Sequence, residues 1–179
     1  MNFFLIFDLA ILICYNTKWR FILEKILYIA AVLSKKSQHI LFDHMLGLID
    51  IPKNWKKIGH HMTIEFNKAK EYSGKDKFNN LDFGTPVYLM PKFYKMDNNA
   101  VAIIPACIPS SKQLGITRTP HITLAVAPGT SPVYSNELLK TGNYQEITKR
   151  IVLEAYLTKI VSGIGPVPKI AEFADDVYG

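Results

Sequence analysis

Two short runs in this chain set an imidazole and a hydroxyl two residues apart: His61-Met62-Thr63 and His121-Ile122-Thr123. In an extended strand alternate side chains face opposite ways, so GHHMTIEF is expected to place His61, Thr63 and Glu65 on one face and Met62, Ile64 and Phe66 on the other. HITLAV repeats the pattern, with His121, Thr123 and the small Ala125 opposite Ile122, Leu124 and Val126. Each strand would bury one side and offer a histidine and a threonine on the other. A histidine and threonine so spaced are about 6.6 Å apart along the strand, close enough to touch different atoms of one phosphodiester. If the strands lie near each other, one histidine can accept a proton from the nucleophile while the other donates to the leaving oxygen. The threonine hydroxyls would donate to the nonbridging oxygens, which gain charge in the transition state. Glu65, about 13 Å along the strand from His61, is too distant to orient that imidazole. A single His-x-Thr in a strand is common and reads as structural. Two copies in strands of the same phase, each keeping both groups on the polar face, point to catalysis.

The elements that would carry these runs are mostly strands. Ile26–Leu33 reads as a strand, followed by Ser34 as N-cap, a helix, and Gly47 as C-cap. Residues 52–57 form a turn-like lead into the first motif, and the polar, Lys-rich stretch 67–80 reads as a loop. Strands fit residues 85–95 and 100–108, joined by Asp97-Asn98-Asn99, and the loop 109–120 delivers the second motif. Ser135 is expected to cap the short helix NELLK, and residues 150–161 fit either a strand or a helix, with strand preferred.

Composition narrows the partners. With 21 Lys and Arg against 15 Asp and Glu, the 179-residue chain carries +6, which suits a nucleotide, RNA or another polyanion. Length and hydrophobic content fit one domain. Cys14 and Cys107 are far apart in apolar surroundings, so neither a disulfide framework nor a zinc site is indicated, and a reducing, cytoplasmic setting is expected. No metal or other cofactor is expected. His60 and His61 should point to opposite faces of their strand, and His39 and Asp43, one helical turn apart, have no second pair beside them. Residues 1–24 form an apolar N-terminal extension, whose nearly all-apolar first fifteen residues are interrupted by Asp8 and too short to span hydrocarbon. Membrane contact through this segment, a packed N-terminal helix and a loosely attached extension are the readings it leaves open.

The two motifs, HMTI from His61 and HITL from His121, each with apolar flanks, resemble the two-histidine (2H) phosphoesterase superfamily, also called LigT-like. The stretches IPKNWKKIGHHMTIEF and PHITLAVAPGTSPVYSNELL look most like its viral branch, which includes phage anti-CBASS phosphodiesterases and poxviral LigT-like proteins. The resemblance covers roughly residues 26–161. It implies an α+β, bilobal fold with two antiparallel sheets around a central groove and helices outside, formed by residues 25–179. It implies a catalytic set of His61, Thr63, His121 and Thr123, and places Tyr28 where this branch stacks a base, although a core tyrosine is the equal alternative. It further implies hydrolysis of a cyclic dinucleotide such as cGAMP, in evasion of host immunity, with 2'-5' oligoadenylate and RNA 2',3'-cyclic phosphate ends as alternatives. Lys112 and Arg118, in the loop before the second motif, are candidate phosphate contacts. A noncatalytic nucleotide or RNA binder is the rival class, but it would have no need of two proton-transfer groups.

Overall fold

The structure, a computed structural model, describes residues 26–66, 83–108, 119–162 and 165–167. The extension 1–24, the loop 67–80, Lys112 and Arg118 lie outside them.

Apolar runs and hydrophobic alternation between them write most of the strands directly: β1 (Ile26–Leu33), β3 (His61–Phe66), β4 (Pro86–Met96), β5 (Ala100–Ile108), β6 (Ile122–Val126) and β8 (Leu153–Val161). Short strands β2 (Lys56–Lys57), β7 (Gln145–Glu146) and β9 (Gly165–Val167) are added to these. All the registered pairings are antiparallel. The preference for strand at the C-terminal end of the described chain is met by β8.

Strand β8 decides the architecture. Its first half pairs with β4, from Leu89↔Leu153 to Pro86↔Tyr156, and most of its length pairs with β1, from Leu33↔Ala155 to Ile26↔Val161. The order β4-β5-β6-β3-β1-β8 therefore returns to β4 and closes a six-stranded antiparallel barrel. This overturns the expected bilobal fold with two sheets around a groove: the strands make one ring, and no second sheet stands apart among the described residues. Periodicity marks strands but not their partners, so a strand shared by two neighbours could not be read from the sequence.

The ring's inner face holds one apolar cluster, including Ile29, Ala31 and Leu33 of β1, Met62 and Ile64 of β3, Ile122 and Leu124 of β6, and Leu153, Ala155 and Leu157 of β8. Helix α1 (Lys35–Leu46) adds Leu41 and Met45 to it. Its buried residues Ser37, Leu41 and Met45 recur every four positions, as a single helical face requires. Ser34 caps it as expected, its hydroxyl accepting from Ser37 N at 3.2 Å, and Gly47 closes it in an ordinary right-handed conformation (φ −78°). Helix α2 (Ser135–Lys140) sits outside the barrel, where Leu138 and Leu139 cover Ala100, Ala102 and Val126. Ser135 is not its cap. It is the first helical residue, the cap position falls on Tyr134 without a side-chain bond, and Ser131 caps the preceding 3-10 turn Pro132–Tyr134.

The lead into the first motif is clamped on both sides. Ile58 N donates to Leu124 O at 2.8 Å and Gly59 N to Thr123 O at 2.9 Å, while His60 O accepts from Leu33 N at 2.9 Å. Gly59 has φ +51°, and a Cβ there would lie 2.6 Å from the Phe42 ring of α1. That ring is rigid and packed against the core, so it cannot yield cheaply. Gly59→Ala should destabilise the protein by about 2 kcal/mol or more, from left-handed strain plus overpacking. Thermal denaturation checks it, and an unchanged melting temperature would show that the Gly59 turn is not under this constraint.

Candidate active site

The first requirement of the two-motif chemistry is that the motifs be neighbours. Strands β3 and β6 pair antiparallel, and their registered partners are Met62 and Ile122, the central residues of the two runs. Both are fully buried in the barrel interior. The flanking His61, Thr63, His121 and Thr123 therefore emerge together on the outer face, all half-buried. His121 lies close enough to His61 for its charge to lower the affinity of the His61 ring for a proton.

A β-bulge follows each motif, and both alter the expected faces. Between β1 and β3 the register slips so that Ala30 pairs with Thr63 but Ile29 pairs with Glu65. Paired residues face the same way, so Glu65 leaves the row of His61 and Thr63. Between β5 and β6, Ala102 pairs with Thr123 but Val101 pairs with Ala125. Leu124 and Ala125 both join the inner cluster, and Val126 turns outward beneath α2. The alternation expected through Ala125 and Val126 is thus reversed. Ideal period-two reasoning has no means of seeing an inserted residue.

His121 and Thr123 are held by hydrogen bonds and His61 by ring contacts. His121 Nδ1 lies 3.1 Å from Thr119 O, and because a carbonyl only accepts, Nδ1 carries the proton and Nε2 presents its lone pair. Thr123 Oγ1 is 3.0 Å from Ser135 Oγ and 3.4 Å from Pro132 O, which fixes its rotamer from the turn before α2. The Tyr28 ring stacks on His61, with centroids 5.5 Å apart and planes inclined by 30°, and also packs against Ala30, Val32 and Ile160 of the barrel's outer face. Tyr28 is thus a packing residue of the outer face that also contacts His61.

His60 departs from expectation. Successive residues of a regular strand face apart, yet His60 Nδ1 lies 2.6 Å from His61 Nδ1 and the rings are 4.5 Å between centroids. The left-handed turn at Gly59 and the start of β3 at His61 leave His60 outside regular extended geometry. His39 and Asp43 sit exposed on α1. Among the described residues no three His, Cys, Asp or Glu side chains group as a metal site requires, and no helix is long and apolar enough to cross a membrane.

The imidazoles are held neutral. Burial pushes His61 down to about 3, with repulsion from His60 and His121 adding to it. Burial pushes His60 down to about 4, helped by the nearby Lys56. His121 is lowered by burial as well, but its bond to Thr119 opposes the shift by favouring the charged ring. Three neutral imidazoles beside one another can accept protons, and an anion placed among them would raise their affinity for one.

Sequence reasoning missed four contributors: His60, Thr119, Ser135 and Lys56. Adjacency to His61 and the tract NWKKIGHH were available signals for His60 and Lys56. Nothing in the sequence ties Ser135 to Thr123 or Thr119 to His121, because those contacts depend on how the chain turns. Comparison with known proteins finds no family model and no curated protein that matches this chain.

The histidines also give a stability prediction. Their folded pKa values lie below the ordinary 6.5, so below that pH the unfolded chain binds more protons and stability falls as pH drops from about 6.5 towards 3. Carboxylates contribute alike in wild type and in a His61→Leu variant. The variant should therefore lose less stability between pH 7 and pH 4.5 than wild type does, as measured by chemical denaturation at the two pH values; an equal loss would contradict the buried, neutral state of His61.

Proposed function

We propose that this chain is a metal-independent phosphodiesterase of the two-histidine type, hydrolysing a cyclic di- or oligonucleotide immune signal such as cGAMP and thereby countering host antiviral signalling. The observation that carries the reading is the Met62↔Ile122 pairing, which brings two His-x-Thr motifs to one face with Nδ1 of each histidine engaged by the protein. Nε2 is the nitrogen left to each ring for substrate.

The roles follow from the electrostatics. His61, pushed down to about 3, is unprotonated at neutral pH and serves as the general base towards water or a ribose hydroxyl. A bound phosphodiester anion raises the pKa of both rings, and His121, whose bond to Thr119 already favours the charged form, is the one to take up the proton and act as acid. The oxygen of the nucleophile bonds to phosphorus as its proton passes to His61, and the leaving oxygen departs with the proton of His121. Thr63 donates to a nonbridging oxygen, and Thr123 does so by turning its O–H from Ser135 and Pro132 to the substrate. Tyr28 supplies a flat aromatic surface beside His61 for a base, and the net charge of +6 favours a polyanionic substrate.

The test is chromatographic turnover of 2'3'-cGAMP, 3'3'-cGAMP, 2'-5' oligoadenylate and an RNA ending in a 2',3'-cyclic phosphate, with EDTA present. Turnover should survive EDTA, and His61→Ala or His121→Ala should each lower kcat by about 10²- to 10⁴-fold. Preference for a cyclic dinucleotide supports immune evasion, whereas preference for the RNA end moves the function to RNA processing. Binding of these nucleotides without turnover would replace the enzyme with a noncatalytic binder.

A further inference from the structure

The motif of this chain contains one histidine more than the two-residue chemistry needs. We infer that His60 is a positioning residue for His61: its Nδ1 accepts the Nδ1–H of His61 and so fixes the tautomer and ring orientation in which His61 Nε2 takes the nucleophile's proton. This inference rests on the phosphodiesterase reading above and deepens it.

Three observations carry it. The two Nδ1 atoms are 2.6 Å apart, and a contact that short between nitrogens requires one to donate and the other to accept. His121 provides the precedent within the same site: its Nδ1–H is committed to the Thr119 carbonyl, which leaves Nε2 as acceptor. If His61 is to be equivalent, His60 must take the part on the first motif that a carbonyl takes on the second. Finally, the contact exists only because the chain breaks from strand geometry at His60. Gly59 turns with φ +51°, and His60 O is tied to Leu33 N, so the backbone is held where adjacent imidazoles meet. On its other side His61 stacks on Tyr28, and the ring is gripped between the two.

A neutral partner suits this place. The groups that face His61 are His60 from its own strand's lead, His121 from β6 and Tyr28 from β1, with Lys56 acting on His60. These groups of the described residues carry no negative charge of their own, and on the phosphodiesterase reading the bound phosphodiester brings one. When His61 Nε2 takes the proton of the attacking O–H, its Nδ1–H stays in place and donates to His60, and the resulting cation faces the substrate's anionic oxygens. A carboxylate in place of His60 would compete with the substrate for that cation.

The test compares His60→Leu with His60→Asn, whose side-chain oxygen can stand near the position of Nδ1 and accept. His60→Leu should lower kcat about 10- to 100-fold, the range for outer-shell partners, with little change in KM, and His60→Asn should recover most of that loss. Imidazole nitrogen NMR of labelled protein gives a readout independent of turnover. His61 should carry its proton on Nδ1 in wild type and in His60→Asn, and become a tautomer mixture in His60→Leu. Wild-type turnover with an active His60→Leu whose His61 tautomer is unaltered overturns the inference and leaves the phosphodiesterase reading standing. Absence of wild-type turnover, together with a His61 tautomer that depends on His60, overturns that reading and leaves the positioning contact.

Discussion

The site depends on two apolar side chains that never meet solvent. Met62 and Ile122 pair across β3 and β6 inside the barrel, and each stands between the histidine and threonine of its own motif. Burying a side chain of this size is worth about 1.5–3 kcal/mol, more than the roughly 1 kcal/mol net of a hydrogen bond. Hydrophobic burial therefore sets which way both strands face, and the polar contacts refine the result. Were either strand to slip by one residue, its histidine and threonine would turn into the core and its apolar residues into water. The register that builds the barrel and the register that builds the site are the same.

From that constraint follows an electrostatic one. On this half-buried face of three imidazoles and a tyrosine, with a lysine nearby, burial keeps the rings neutral. Such a surface is complementary to an anion that it lacks on its own. The phosphodiester in this account is both the reactant and the group that sets the protonation state of the acid. Under this proposal the two threonines and Tyr28 act on atoms that appear only with it.

The local elements of this structure were legible in the sequence, and its closure was not. Ile26–Leu33 and Ala100–Ile108 fall where apolar runs and flanking turn residues put them, and Ser34 caps α1 through the bond that its residue type predicts. The four motif residues were legible because histidine and threonine recur at strand spacing beside apolar neighbours. What escaped is set by contacts between distant segments. The sharing of β8 by β1 and β4 turned an expected pair of lobes into one ring. The bulges after Thr63 and Thr123 displaced Glu65 and reversed Ala125 and Val126. Ser135, read as a helix cap from its local neighbours, accepts from the hydroxyl of Thr123 instead. His60, assigned to the opposite face by alternation, meets His61 because Gly59 turns the chain first.

The most direct measurement of the central claim is imidazole nitrogen NMR of the protein at pH 7 in EDTA, titrated with a hydrolysis-resistant phosphorothioate analogue of a cyclic dinucleotide. The chain has five histidines, and two of them, His39 and His44, lie on α1 outside the candidate site. The account predicts that the Nε2 resonance of His121 moves towards the protonated range while that of His61 shifts but stays in the neutral range, with those of His39 and His44 unmoved. Saturable binding that leaves His61 and His121 unperturbed would contradict it, since the anion would then be held somewhere other than between the two motifs.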